Sequence, residues 1–160
     1  MAVFYKYFFA RRGDISDSDG IVYSALIYRA LENPDYYDAE GNLDIGKVEI
    51  FIQDESVNSG LECIDLPKIN KSRIARSVGM TRDAVIKAIK RLENKHLLGE
   101  GFIVCPVALL SGGYIQLPVF PENTPKERLL TSQQRVFYGL LIDRSLPYRG
   151  IIDTWARRLA

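Results

Sequence analysis

The chain has 160 residues, a formal net charge of +1 and 47% hydrophobic residues, which together predict one globular domain, or one domain and part of another. No apolar run approaches the roughly 18 residues of a membrane-spanning helix, and the amino terminus lacks the basic start and cleavage site of a signal peptide. We therefore expect a cytoplasmic protein. Cys63, Cys105 and the single His96 are too few for a zinc finger. No Walker, GxSxG or GxGxxG motif occurs, so we expect no enzyme activity, no metal and no cofactor.

The near-neutral net charge is the average of two opposed segments. Residues 14–62 carry twelve acidic and two basic side chains, a balance of −10. Residues 68–95 carry nine basic and two acidic side chains, a balance of +7. Such asymmetry predicts an oriented molecule with one face toward an anion and one face turned away from it.

The first elements are predicted to be a strand and a helix. Residues 2–10 are rich in aromatic side chains and favour a strand packed on a core or at a sheet edge; stacking on single-stranded bases is the less favoured alternative. Ser16 or Ser18 is expected to begin a helix that continues through Leu31. Asn33-Pro34 ends it, because a residue before proline avoids the helical conformation.

An acidic insertion is predicted at residues 35–62. Within it we expect a strand over residues 47–53 and turns at residues 40–42 and 58–60. The order of its carboxylates differs from that of a calcium-binding loop, so a solvated loop is the expectation. A short strand at residues 63–66 follows.

The next segment is predicted to be two helices joined by a tight turn. Asn70 is expected to cap a helix over residues 71–78, because its side chain can accept a bond from a first-turn amide. Gly79 is expected to end that helix in the left-handed conformation. Thr81 then caps a second helix that runs to about Lys95. This is the helix-turn-helix pattern.

The second of these helices has two unlike faces at helical period. Its apolar stripe comprises Val85, Ala88, Ile89 and Leu92. Its opposite side comprises Asp83, Lys87, Lys90 and Asn94. The basic balance of this segment favours a polyanion as its partner, although a solvated basic face remains an alternative.

A β-hairpin is predicted after the second helix. Residues 99–101 form a turn, and residues 102–105 and 114–119 are expected to be two strands joined through a flexible turn at residues 111–113. A hairpin in this position corresponds to a wing.

The order helix, strand, helix, helix, strand, strand resembles the winged-helix DNA-binding family, especially the helix-turn-helix domains of plasmid and phage replication initiators and of related bacterial regulators. The resemblance lies in SDGIVYSALIYRAL, in IARSVGMTRDAVIKAIKRLENKHLL and in the predicted hairpin. It implies an α+β fold, mainly α, in which residues 1–120 form a winged helix-turn-helix with a small antiparallel β-sheet. The chain departs from the family in the length of its acidic insertion and at His96, where the family commonly has glycine.

The resemblance also implies a DNA-binding surface, in which the second helix enters the major groove of double-stranded DNA. The side chains expected at base edges or beside them are Thr81, Arg82, Asp83, Ile86 and Lys87. The side chains expected to hold phosphates are Lys71, Ser72, Arg73, Lys90 and Arg91.

A partial internal repeat is predicted near the carboxyl end. Residues 131–146 can be laid over residues 16–31 without a gap, and residues 155–159 resemble residues 74–78. We expect a linker at residues 121–127, followed by the start of a second winged helix at residues 128–160 that is cut off. Chance similarity between amphipathic helices is the alternative, since such helices resemble one another in any test of periodicity.

Three functional hypotheses follow. The first is sequence-specific binding of double-stranded DNA by a replication initiator of the plasmid or phage type, with a transcriptional regulator as the alternative. A homodimer would be required if the DNA sites are symmetric. The second hypothesis is a winged-helix module for protein interaction or dimerisation. An enzyme is the third and the least favoured.

Overall fold

The computed structural model describes residues 3–8, 15–52, 60–106, 110, 114–119, 131, 133–135 and 137, with only the backbone described at 3–8 and 114–119. In chain order the helices and strands are β1 (Val3–Phe8), α1 (Asp17–Ala30), β2 (Ile50–Ile52), β3 (Glu62–Asp65), α2 (Lys71–Val78), α3 (Arg82–Asn94), β4 (Leu98–Gly99), β5 (Phe102–Val104) and β6 (Tyr114–Val119). The fold is α+β and mainly helical, with a small antiparallel sheet. Among the described residues, no helix combines the length and the apolar character that crossing a membrane requires.

Helix α1 is the central element of the core. The predicted helix is confirmed: Ser16 is its cap, with the side-chain hydroxyl accepting a bond of 3.2 Å from the amide of Asp19. Ten of its 14 residues are buried, so it packs against neighbours on nearly every side. The hydroxyl of Tyr23 donates to the carbonyl of Val104 and ties α1 to β5.

The two helices α2 and α3 form as the local signals predict. The side chain of Asn70 accepts a 3.0 Å bond from the amide of Arg73, and the hydroxyl of Thr81 accepts a 3.1 Å bond from the amide of Ala84. Gly79 ends α2 at φ +70°, a left-handed conformation that glycine adopts without a Cβ penalty. The predicted helix-turn-helix is therefore confirmed as local structure.

The four-stranded sheet has the order β2-β3-β5-β4 and is antiparallel throughout. Its inner face completes the core: Ile64 of β3 and Ile103 of β5 are fully buried, as are Leu26 of α1 and Leu92 of α3. Burial of each such side chain stabilises the fold by about 1.5–3 kcal/mol. The core thus fixes α3 against α1 and the sheet.

The predicted hairpin between residues 102–105 and 114–119 is wrong. Strand β5 pairs with β3 on one side and β4 on the other, whereas β6 pairs with β1 in a separate two-stranded sheet. The reason is the tight turn after Gly99, in which Gly101 adopts φ +82° and returns the chain at once alongside β4. The hairpin that follows α3 is therefore β4–β5. The predicted turn at residues 111–113 lies outside the described residues.

The acidic insertion begins its strand later than expected. Residues 47–53 were expected to be extended, but Ile45–Lys47 forms a short 3-10 turn, and the strand covers only Ile50–Ile52. The carboxylate of Asp44 caps this turn by accepting a bond from a backbone amide two residues on. A local side-chain bond therefore replaces the first part of the strand.

The expectation that the insertion is a solvated loop is also wrong for part of it. Tyr36 and Val48 are 4% and 7% exposed and belong to the main core. The predicted turn at residues 40–42 is confirmed, because the amide of Gly41 donates to the carbonyl of Asp38 at 3.0 Å. Of the turn expected at residues 58–60, only the last residue is described.

The carboxyl-terminal part is described at a few positions only. Residues 133–135 and 137 are helical, and the hydroxyl of Thr131 accepts a 3.2 Å bond from the amide of Gln134. This agrees with the start of a helix that the comparison with α1 predicts. The expected linker at residues 121–127 and most of residues 128–160 lie outside the described residues.

Candidate nucleic-acid interface

The two faces of α3 differ in burial as the sequence predicts. The buried side chains are Val85, Ala88, Ile89 and Leu92, and Ile86 is half-buried. The exposed ones include Arg82, Asp83, Lys87, Lys90 and Asn94. Because the buried stripe holds the helix to the core, the polar side chains project from a rigid support. Neither Lys87 nor Lys90 forms an ion pair within the described part of the chain.

A second cationic group lies where α2 and α3 begin. Lys68, Lys71, Ser72 and Arg82 line one shallow depression beside the amino-terminal end of α2. The amino-terminal end of a helix carries partial positive charge from its backbone amides. The fold therefore brings Arg82 of α3 next to two predicted phosphate contacts of α2. Lys68 belongs to this group although it was not among the predicted site residues; its place in the basic run was the signal that pointed to it.

Arg73 has a partner just beyond the carboxyl-terminal end of α1. Its guanidinium lies 3.5 Å from the carboxylate of Glu32, which is also 3.0 Å from the guanidinium of Arg29. The Arg73 side chain is 64% exposed, and exposed pairs of this kind contribute little, with a typical value of about 0–1 kcal/mol. Arg73 is therefore oriented by Glu32 but accessible to an anion.

Arg91, a predicted phosphate contact, is instead engaged with a buried carboxylate. Its Nε and Nη2 donate to Asp19 at 3.0 and 2.8 Å, and the Asp19 side chain is 2% exposed. The hydrogen bonds that Arg91 donates to Asp19 raise the pKa of Arg91, while burial acts in the opposite direction. Arg91 therefore has a structural partner on α1. This partner accounts for the position of its side chain without a contact to phosphate.

The hairpin β4–β5 carries no basic side chain from Leu98 to Val104, and its turn contains Glu100. A wing that enters the minor groove of DNA commonly uses arginine or lysine there. Within the described part of the chain, the surface that fits a polyanion therefore lies on α3 and at the start of α2.

Both cysteines are buried, and no disulfide joins them. Burial raises the pKa of Cys105 to about 12, with smaller contributions from Glu62 and Cys63. A thiol with this pKa stays protonated at neutral pH, so Cys105 is unsuited to nucleophilic or thiolate-ligand chemistry. Among the described residues, no cluster of three or more histidine, cysteine or carboxylate side chains could hold a metal ion.

Comparison with known proteins gave no match to any protein-family model, curated protein or solved structure.

Proposed function

We propose that this chain is a winged helix-turn-helix protein that binds double-stranded DNA, with α3 in the major groove. The observation that carries the proposal is the exposed polar and cationic face of α3, opposite a stripe that is buried in the core. A helix fits the major groove, where side chains at its amino-terminal part reach base edges. Arg82, Asp83 and Lys87 occupy that part of α3.

The fold supports the winged-helix assignment through its element order. When strand β2 of the acidic insertion is set aside, the elements from α1 through β3, α2, α3, β4 and β5 have the order helix, strand, helix, helix, strand, strand. The hairpin differs from the one expected, yet it occupies the position of a wing. Its acidic turn leaves base recognition to α3.

The proposed DNA contacts form two groups: a reading group, which contacts bases, and a holding group, which contacts phosphates. The reading group is Thr81, Arg82, Asp83, Ile86 and Lys87. The holding group is Lys68, Lys71, Ser72, Arg73 and Lys90. Arg91 is assigned to positioning α3 on α1 because Asp19 occupies its guanidinium. Contacts of the holding group set the register on DNA without reading its sequence.

The binding test begins with selection of duplexes from a random pool and measurement of Kd at several salt concentrations. Arg82→Ala and Lys87→Ala should each weaken binding to the selected site by about 1–3 kcal/mol, or roughly fivefold to 150-fold. Lys47→Ala is the matched control: it removes one exposed lysine from the acidic insertion and should leave Kd unchanged. Equal binding by the parent, Arg82→Ala and Lys87→Ala would refute the assignment.

For the biological process we propose initiation of replication, of the plasmid or phage type. It is supported by the resemblance of the helix-turn-helix sequence and by the partial repeat, since tandem winged helices are typical of such initiators. Sequencing the DNA retained by the protein tests the process directly. Repeated sites beside an origin are expected, whereas sites overlapping promoters would favour transcriptional regulation.

A dimerisation module is the second candidate function, favoured by the edge of the four-stranded sheet. Strand β2 is an edge strand in the described sheet, and its Ile52 is 52% exposed. An exposed strand edge can pair with another chain. Sedimentation of the parent and of Ile52→Lys tests this function. A dimer that this substitution dissociates and that salt leaves unchanged would support it, whereas DNA binding should weaken steeply as salt rises.

A further inference from the structure

Arg135 begins the inference because it is a buried cation far along the chain from its partner. It lies in the first turn of a helix that Thr131 and Gln134 cap reciprocally, through bonds of 2.9 and 3.2 Å. The residue is only 4% exposed. A buried guanidinium needs hydrogen-bond acceptors, since an uncompensated buried charge is strongly unfavourable.

One such acceptor lies at the carboxyl-terminal end of α2. Nη1 of Arg135 donates to the carbonyl of Val78, one of the last four carbonyls of α2, which lack partners within the helix. The partial negative charge at this end of a helix also favours a cation. The bond joins residues 57 positions apart in the chain, so it attaches the segment at residues 131–137 to the helix-turn-helix.

Gly79 shows how closely the two segments approach. A Cβ atom at this position would lie 2.5 Å from Nη2 of Arg135, which is shorter than any normal contact. Gly79 is also the left-handed residue that begins the turn between α2 and α3. The amides of Gly79 and Met80 both donate to the carbonyl of Ala75. Arg135 therefore packs on the turn that sets the direction of α3.

We propose that Arg135 is a positioning residue that fastens the segment at residues 131–137 to the turn between α2 and α3. The presentation of α3 then depends on a part of the chain outside the helix-turn-helix. The attachment itself is independent of DNA. Its consequence for DNA affinity rests on the proposed function.

Amide hydrogen exchange on the full chain tests the attachment. Arg135→Met keeps an apolar stem but removes the charge and the donors, and Gln133→Met is the control at an exposed site in the same helical turn. Because a hydrogen bond from a charged group is lost, exchange at Gly79 and Met80 should become about tenfold faster or more in Arg135→Met alone. Exchange at Leu26, in the middle of α1, should stay within about twofold of the parent value, since sites differ in local stability. Unchanged exchange at Gly79 and Met80, or equal acceleration at Leu26, would overturn the proposal.

A second pair of variants addresses the close approach directly. Gly79→Ala introduces the backbone strain of an alanine at positive φ in any background, but it meets the guanidinium only when Arg135 is present. Its destabilising effect should therefore be smaller in an Arg135→Ala background than in the parent. Strictly additive effects of the two substitutions would overturn the proposed contact.

Binding to the selected duplex supplies the functional measurement. Arg135→Met should raise Kd by about tenfold with the salt dependence unchanged, because a positioning residue neutralises no phosphate. A reduced salt slope would show direct contact with DNA and overturn the positioning role. If the parent itself binds no duplex, the proposed function fails, and hydrogen exchange decides the attachment on its own.

Discussion

The acidic insertion at residues 35–62 and the basic helix-turn-helix at residues 68–95 use their charged side chains in different ways. In the insertion, Asp38 Oδ1 accepts two backbone bonds of 2.9 Å, from Glu40 and Asn42, and Asp44 caps the turn that follows. In the helix-turn-helix, Lys87 and Lys90 project from a helix whose position other residues determine.

The comparison shows that charge balance alone does not identify a functional surface. Carboxylates that accept bonds from amides two to four residues away shape their own loop, since such side chains compete for backbone donors. Lysines on a helix anchored by Val85 and Leu92 are available to an external anion. The carboxylates Asp38 and Asp44 therefore have a structural role in the insertion, whereas the lysines of the basic face have no such role in the described structure.

The largest effect that would sharpen this comparison concerns Cys105, whose amide donates to the carbonyl of Glu62 at the end of the insertion. The pKa of the Cys105 thiol is about 12, against an ordinary value of 9.0. At pH 8 the thiolate fraction in the folded protein is therefore about a thousandfold smaller than in the unfolded protein. Alkylation of the native protein should be slower than alkylation in denaturant by the same factor, because the thiolate is the nucleophile. The folded state holds this proton more tightly than the unfolded state. Its contribution to stability is therefore complete below pH 9 and is lost as the pH rises toward 12. Peptide-resolved mass spectrometry measures the rates, and fast native labelling of Cys105 would contradict the burial.

The next effect concerns Arg91, a basic side chain that is engaged by a partner within the fold, as the carboxylates of the insertion are. Arg91→Ala leaves the carboxylate of Asp19 buried without this partner, which should reduce the free energy of unfolding by about 3 kcal/mol, the lower end for a broken buried pair, because Arg91 itself is 48% exposed. Lys90→Ala, one residue earlier and exposed, should change stability by less than about 0.5 kcal/mol. Denaturant unfolding compares the two, and similar stabilities would place Arg91 with the exposed bases.

The variants Lys90→Ala and Arg91→Ala also distinguish a structural role from a direct contact with DNA. Lys90→Ala should lower the slope of log Kd against log salt by about 0.9, as expected for one lost phosphate contact. Arg91→Ala should leave that slope unchanged. The reverse result would restore Arg91 to the phosphate-holding group and remove Lys90 from it.

A smaller effect is expected in the insertion itself. Asp38→Ala removes the acceptor of two backbone bonds and should reduce stability by about 1.5 kcal/mol, at about 0.5–1.5 kcal/mol for each bond. Glu40→Ala, an exposed neighbour in the same turn, should be nearly neutral. If both substitutions are neutral in thermal unfolding, the acids of the insertion do not shape it.

The smallest expected effect is a gain in stability from a substitution at the end of α3. His96 adopts φ +60°, and the amides of His96 and Leu97 donate back to the carbonyls of Glu93 and Leu92, the arrangement that ends helices with a left-handed residue. His96→Gly should stabilise the fold by about 1 kcal/mol, because glycine avoids the penalty of about 1–2 kcal/mol for other residues in this conformation. His96→Ala retains positive φ and should give no gain. Thermal unfolding of the three proteins tests both expectations.

Local structure in this protein is determined by the sequence over a few residues. Asn70, Gly79 and Thr81 mark the ends of α2 and α3 because each acts within about one helical turn. The apolar stripe of α3 and its exposed opposite face follow from helical period alone. These signals were sufficient to locate the exposed face of α3 before the fold was known.

The tertiary structure decided the pairings over longer distances. Strand β5 joined β3 and β4 rather than β6, because the turn at Gly101 is tighter than the one expected at residues 111–113. Arg91 took Asp19 as its partner, 72 residues away, and Arg135 took Val78, 57 residues away. Such choices depend on which buried acceptors the folded chain brings within about 3 Å. No local pattern encodes that distance.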